Sequence, residues 1–183
     1  MKNIYLIRHC SADGQHKDSP LTSHGIRQAK QLADFLAEKR IEADKIVSSP
    51  YLRAIESIRP YAEKNKLNIT VDDRLKERIL SEDPIDDWLE VLEQSFNDLD
   101  FRLPGGESGN DAVKRAEMVI ENVLADSNVS NVVFVSHGNI IALLLSRYQP
   151  GFGFEGWKTL RNPDVYLINA DRQKNSIECL WQT

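Results

Sequence analysis

The chain has 183 residues, 41% of them hydrophobic, and a formal net charge of −5, which predicts one domain over 1–183 with a single sizeable core and excludes a second full domain. Its basic residues are scattered, so the broad cationic face of a nucleic-acid binder is missing and no nucleic-acid partner is expected. The apolar stretch Ile140 to Leu145 is too short to span a bilayer, and Cys10 and Cys179 make no disulfide framework. Met1-Lys2-Asn3 leads straight into a strand-like run with no export-type segment, so a reducing, cytoplasmic setting is expected.

In chain order, Ile4-Tyr5-Leu6-Ile7 reads as a buried strand ending in Arg8-His9. Thr22 is placed to cap a helix whose apolar side carries Ile26, Ala29, Ala33, Phe35 and Leu36. Lys45 to Ser48 is a short strand. Ser49-Pro50 then opens a helix with Leu52, Ile55, Ile58 and Ala62 on one side and Arg53 in its first turn, and Pro60 is expected to kink or end it. Ile69-Thr70-Val71 reads as a third strand and Ile85 to Phe96 as a helix. Pro104-Gly105-Gly106 separates it from a long amphipathic helix, Asn110 to Leu124. Val132 to Val135 is a second buried strand, ending in Ser136-His137-Gly138 and followed by an apolar helix, Ile140 to Leu145. Val165 to Ile168 and Ser176 to Trp181 read as strands joined through Ala170 to Asn175. This alternation predicts a three-layer α/β/α sandwich on a mostly parallel sheet, with an antiparallel hairpin at its edge.

Two histidines therefore stand at the carboxyl ends of buried strands, where open parallel sheets bind ligands, and Arg8 and Arg53 beside them point to phosphate. Leu6-Ile7-Arg8-His9, Ser48-Ser49-Pro50-Tyr51-Leu52-Arg53-Ala54, Arg74-Leu75-Lys76-Glu77-Arg78, Pro104-Gly105-Gly106-Glu107-Ser108 and Val135-Ser136-His137-Gly138 follow one another in the order of five family motifs. In them the chain resembles the histidine phosphatase superfamily, also called phosphoglycerate mutase-like. Cys10 stands where that family usually has a smaller residue, and a packing role is expected for it. The loop from Ser11 to Pro20 lacks the family's usual pattern.

The chemistry follows from the residue types. A neutral imidazole attacks phosphorus without the repulsion an anionic nucleophile meets, so His9 is the expected nucleophile, with its second ring nitrogen held as N–H by a backbone carbonyl. Arg8 and Arg53 are expected to clamp the nonbridging oxygens and His137 to donate to the same charge. Backbone donors at the helix starts near Arg53 and Gly138 would add to them. Glu77 is the candidate to protonate the departing oxygen and later deprotonate water. The scheme calls for no metal and no cofactor.

The remaining polar residues have plainer readings. His16 and His24 read as solvent-facing, and the four histidines have no zinc-type spacing. Glu77 lies in an ordinary run of charges, and Glu107 suits the free N–H groups of the helix after it. The leading function is a metal-independent phosphomonoesterase acting on a phosphorylated small molecule through phosphohistidine. Phosphoglycerate mutase-type transfer, in which Arg78 would bind a substrate carboxylate, and a non-catalytic phosphate-binding module stay open. The sequence sets neither the substrate nor the oligomeric state.

Overall fold

Successive residues of the first strand point into two different cores. In β1 (Lys2–Arg8), Ile4 and Leu6 pack into one apolar cluster and Tyr5 and Ile7 into the other; in β4 (Asn131–Ser136), Val132 and Phe134 alternate with Val133 and Val135 in the same way. An unbroken apolar run with a side-chain period of two belongs to a strand covered on both faces. A computed structural model describes residues 2–170 and 176–181. It adds β2 (Lys45–Ser48), β3 (Ile69–Val71), β5 (Asp164–Ala170) and β6 (Ser176–Cys179), in the order β3-β2-β4-β1-β5-β6. The first four strands are parallel, while β5 runs antiparallel to β1 and β6 to β5, as the sequence predicts. Residues 171–175 of the expected connection lie outside the described residues.

The register sets the site. Leu6 faces Phe134 and Arg8 faces Ser136 across the β1–β4 pair, so the residues that follow, His9 and His137, leave the sheet side by side. The ladder runs one step further, with His9 N–H donating to the Ser136 carbonyl at 3.2 Å.

Helices α1 (Ser23–Glu38) and α2 (Leu52–Lys64) cover one face, α4 (Gly109–Leu124) and α5 (Gly138–Tyr148) the other. The Thr22 hydroxyl accepts from Gly25 N–H and caps α1, which buries Ala29, Leu32, Ala33 and Leu36. Ile26 sits at the edge of that stripe and stays exposed, contrary to the periodicity. Helix α2 runs through Pro60 to Lys64 instead of ending there. An interior proline costs about 3 kcal/mol. Ile58 and Tyr61, both wholly buried, offset it at roughly 1.5–3 kcal/mol per side chain. The Tyr61 hydroxyl also donates to the Ile41 carbonyl at 2.6 Å. On the second face α3 (Trp88–Asn97) packs on a short α6 (Gly153–Thr159), which in turn packs on α5; α6 is not apparent in the sequence pattern. Among the described residues no helix is long and apolar enough to cross a membrane.

Candidate active site

His9 is locked by its own chain. Its Nδ1 lies 2.7 Å from the Cys10 carbonyl oxygen, which only accepts, so Nδ1 carries the proton and Nε2 keeps the lone pair. Burial lowers the pKa to about 3, and Arg53 and Arg8 push the same way against the pull of the Cys10 carbonyl, so the ring is neutral at ordinary pH. The loop beneath is held twice: the Cys10 N–H donates to Ser57 Oγ at 2.7 Å, and the Asn162 carboxamide donates to the His9 carbonyl at 2.7 Å. The Cys10 thiol is fully buried and pushed up to about 11, which suits the expected packing role.

Arg53, the second residue of α2, is 1% exposed and aims its guanidinium under the same loop. Its Nε donates to His9 Nε2 at 3.1 Å and its Nη1 to the carbonyls of Gln15 and His16. Arg8, at the end of β1, donates through Nη1 to the Leu160 carbonyl at 2.7 Å, while its Nε is buried without a partner among the described residues. His137 caps α5 in extended conformation with its ring 5.1 Å from that of His9. Its Nε2 meets Ser49 Oγ at 2.7 Å, and its Nδ1 is likewise buried without a partner. Burial first, then the neighbouring His9 and arginines, hold its pKa well below the usual imidazole range.

Glu77 follows a 3-10 turn, Asp73–Leu75. Its carboxylate accepts from the backbone N–H groups of Arg78 (2.8 Å), Asn139 (3.1 Å) and Ile140 (3.3 Å). The Asn139 and Ile140 N–H groups in the first turn of α5 thus point at a carboxylate. Burial raises the Glu77 pKa, against the pull of those N–H groups and of Arg8. One expectation changes. Glu107 does not cap α4, a task the Ser108 hydroxyl performs toward Asp111 N–H; it grips Arg115 through both carboxylate oxygens, at 2.6 and 2.8 Å. Arg78 is buried, donating Nε to the Glu107 carbonyl and Nη1 to Ser95 Oγ.

Arg8, His9, Gln15, Glu77, Gly138 and Asn162 line a cavity of about 250 Å³. A larger one of about 380 Å³, between α3 and α6, has Glu93 and Glu155 as its only charged walls and is the wrong sign for phosphate. A Cβ on Gly138 would sit 3.3 Å from Arg8 Nε and Cζ, a tight fit that only a small shift of the guanidinium would relieve. Three supporting residues escape the sequence reading. Ser57 and Asn162 look like any polar surface residue in sequence, and Arg115, eight positions from Glu107, reaches it along the first two turns of α4. Among the described residues no group of three or more His, Cys, Asp or Glu is arranged to hold a metal ion; the convergent donors are guanidinium and imidazole, a set for an oxyanion.

Two imidazoles and two guanidiniums at the carboxyl ends of parallel strands define a phosphate-handling α/β protein. Residues 4–183 match the model of the histidine phosphatase superfamily (branch 1), and the chain belongs to that family of enzymes. It is 31% identical, over 96% of this chain and 87% of the relative, to a Yersinia pestis protein named probable phosphoglycerate mutase GpmB. To a Hydrogenobacter thermophilus protein named "Putative phosphoserine phosphatase 2" it is 27% identical, covering 97% and 94%. Its fold matches a mycobacterial glucosyl-3-phosphoglycerate phosphatase solved with VO3, at TM-score 0.76, 23% identity and 98% coverage of each chain.

Proposed function

We propose that the protein is a phosphomonoesterase that hydrolyses a phosphorylated small molecule through a phosphohistidine on His9. The observation that carries this reading is the Nδ1 contact to the Cys10 carbonyl, which leaves a neutral imidazole with its Nε2 lone pair beside two arginines. In the resting site that lone pair accepts from Arg53 Nε. A bound phosphate offers stronger acceptors, so Arg53 turns its Nε–H to a phosphate oxygen and frees the nucleophile. Arg8 Nε and His137 Nδ1, both without partners, complete the oxygen shell when Ser49 donates its hydroxyl proton to His137 Nε2.

Attack forms the Nε2–P bond as the ester P–O bond breaks, and protonated Glu77 gives its proton to the departing oxygen. Glu77 then takes a proton from water, which attacks phosphorus and breaks the N–P bond to release inorganic phosphate. Positive charge comes from Arg8 and Arg53, and His137 adds a neutral N–H donor, so the steps call for no metal.

The test is a rapid quench with a labelled phosphomonoester. The expected adduct is acid-labile, alkali-stable and on His9, and His9→Ala lowers turnover on the order of 10³-fold or more. Label on another residue, or normal turnover without His9, overturns the reading. The names of the Yersinia relatives favour a second reading, phosphoglycerate mutase-type transfer. The engagement of Arg78 inside the protein weighs against it, and label returning to an isomeric phosphoglycerate instead of free phosphate would establish it.

A further inference from the structure

Helix α6 is tied to the phosphate clamp. Its C-cap residue, Leu160, accepts from Arg8 Nη1, and the Nε1 of Trp157 lies 3.3 Å from where a Cβ on Gly138 would stand, as do Arg8 Nε and Cζ. The indole edge therefore stands close to Gly138, which lines the cavity together with Arg8. It is stacked on Phe154 with centroids 5.6 Å apart, and Trp88, at the start of α3, meets it edge-on at 6.2 Å and 80°. Trp88 is 50% exposed and its neighbour Leu89 45%, a large apolar surface to leave in water. Trp157 Nε1–H has no acceptor among the described residues.

On the α3 side of this corner the charge has one sign, and Lys158, over the Phe154 ring on the other side, is paired with Glu155 at 2.6 Å. From Ile79 to Phe101 the chain has no Lys, Arg or His, while Glu82, Asp83, Asp86 and Asp87 lead into α3. A leaving group carrying a carboxylate or a second phosphate is repelled there. A flat uncharged one covers both indoles and accepts from Trp157 Nε1–H through its ring face or an ether oxygen.

We propose that Trp157 and Trp88 form a leaving-group wall, so that the preferred substrates are phosphomonoesters of uncharged alcohols bearing an aromatic ring. This rests on the phosphatase reading and narrows it to a substrate class.

The test compares 2-phenylethyl phosphate, ethyl phosphate and 3-phosphoglycerate without added partners. The first two release alcohols of similar basicity, so proton donation by Glu77 weighs on them alike and their ratio reports the wall. Expected is a kcat/KM on the order of 10-fold higher for the phenylethyl ester, mostly in KM, with 3-phosphoglycerate the poorest of the three. The ratio collapses toward one in Trp88→Ala and in Trp157→Leu and is kept in Trp157→Phe. A ratio near one in the wild type, a ratio unchanged in Trp88→Ala, or 3-phosphoglycerate as best substrate overturns the wall. If none of the esters turns over, the phosphatase reading fails by itself, and calorimetry with 2-phenylethylphosphonate and ethylphosphonate decides the wall separately. Tighter binding of the phenylethyl compound that Trp88→Ala abolishes upholds it; equal binding overturns it.

Discussion

His9 and His137 remain neutral for largely the same reason. Burial is the larger cause in both; the arginines add to it at each ring, and at His9 the Cys10 carbonyl opposes it. The ordinary imidazole value of 6.5 falls to about 3 at His9, so between those values the unfolded chain binds a proton that the folded one refuses. Stability is full above pH 6.5 and is lost as pH falls through that window, with a limiting slope of about 1.4 kcal/mol per pH unit for each such histidine. Glu77 works in the opposite sense: its raised pKa gives stability that is present below the unfolded value of 4.5 and lost as pH rises through the folded one. The comparison is therefore between wild type and His137→Gln, in which Glu77 is common to both. Urea melts from pH 7 to pH 4 should show a shallower acid loss in the variant, and parallel curves would mean that His137 is not held neutral by the fold. At this scale the residue types were legible in the sequence, with His9, Arg8, Arg53 and His137 brought to one place. The lock on His9 Nδ1 was expected only in kind, since which carbonyl closes on it depends on how residues 9–11 turn.

At the scale of elements, the Glu77 segment is fastened from behind. Arg115 on α4 donates to the carbonyls of Arg74 (2.5 Å) and Lys76 (2.9 Å) while Glu107 holds its guanidinium. The loop bearing Glu107 lies flat on the next stretch of chain: a Cβ on Gly106 would fall 2.2 Å from the Leu80 carbonyl oxygen, and Gly105 has φ +67. The Pro-Gly-Gly-Glu-Ser run thus serves as a clamp whose glycines permit contact and whose glutamate aims an arginine. Arg115→Ala should cost on the order of 2 kcal/mol of stability and slow alkyl phosphate hydrolysis more than aryl, because Glu77 loses its alignment as proton donor where a basic oxygen departs. A general structural role would slow both ester classes alike, and that result would remove Arg115 from the positioning of Glu77. The clamp was visible in sequence only as punctuation, and α6 was invisible: seven residues with Gly153 and Gly156 have little helical preference, and the turn stands on aromatic packing through Phe154 and Trp157. Helix α2, by contrast, was legible at its start, and of the two outcomes expected at Pro60 it does not end there, because core packing overrides local preference.

For the whole molecule, the pairing of β1 with β4 across more than 120 residues decides everything about the site, and periodicity alone does not specify it. Alternating elements restrict the fold to parallel-sheet arrangements, and the five ordered motifs supply the rest. That arrangement collects buried positive charge within a chain of net charge −5 and leaves two donors, Arg8 Nε and His137 Nδ1, without partners. Unsatisfied buried donors hold the native state below its attainable stability, typically by 1–3 kcal/mol each, and an oxyanion that binds only the folded form recovers it. Inorganic phosphate at a hundred times its dissociation constant should therefore add about 2.7 kcal/mol, a rise in Tm of roughly 5–10 °C for a chain of this size. Arg53→Ala should bind phosphate far more weakly and lose most of the rise. Ile26→Ala, on the exposed edge of α1, should keep all of it. Equal shifts in all three proteins, or none in the wild type up to tens of millimolar phosphate, would show that the paired arginines and histidines are not an anion site.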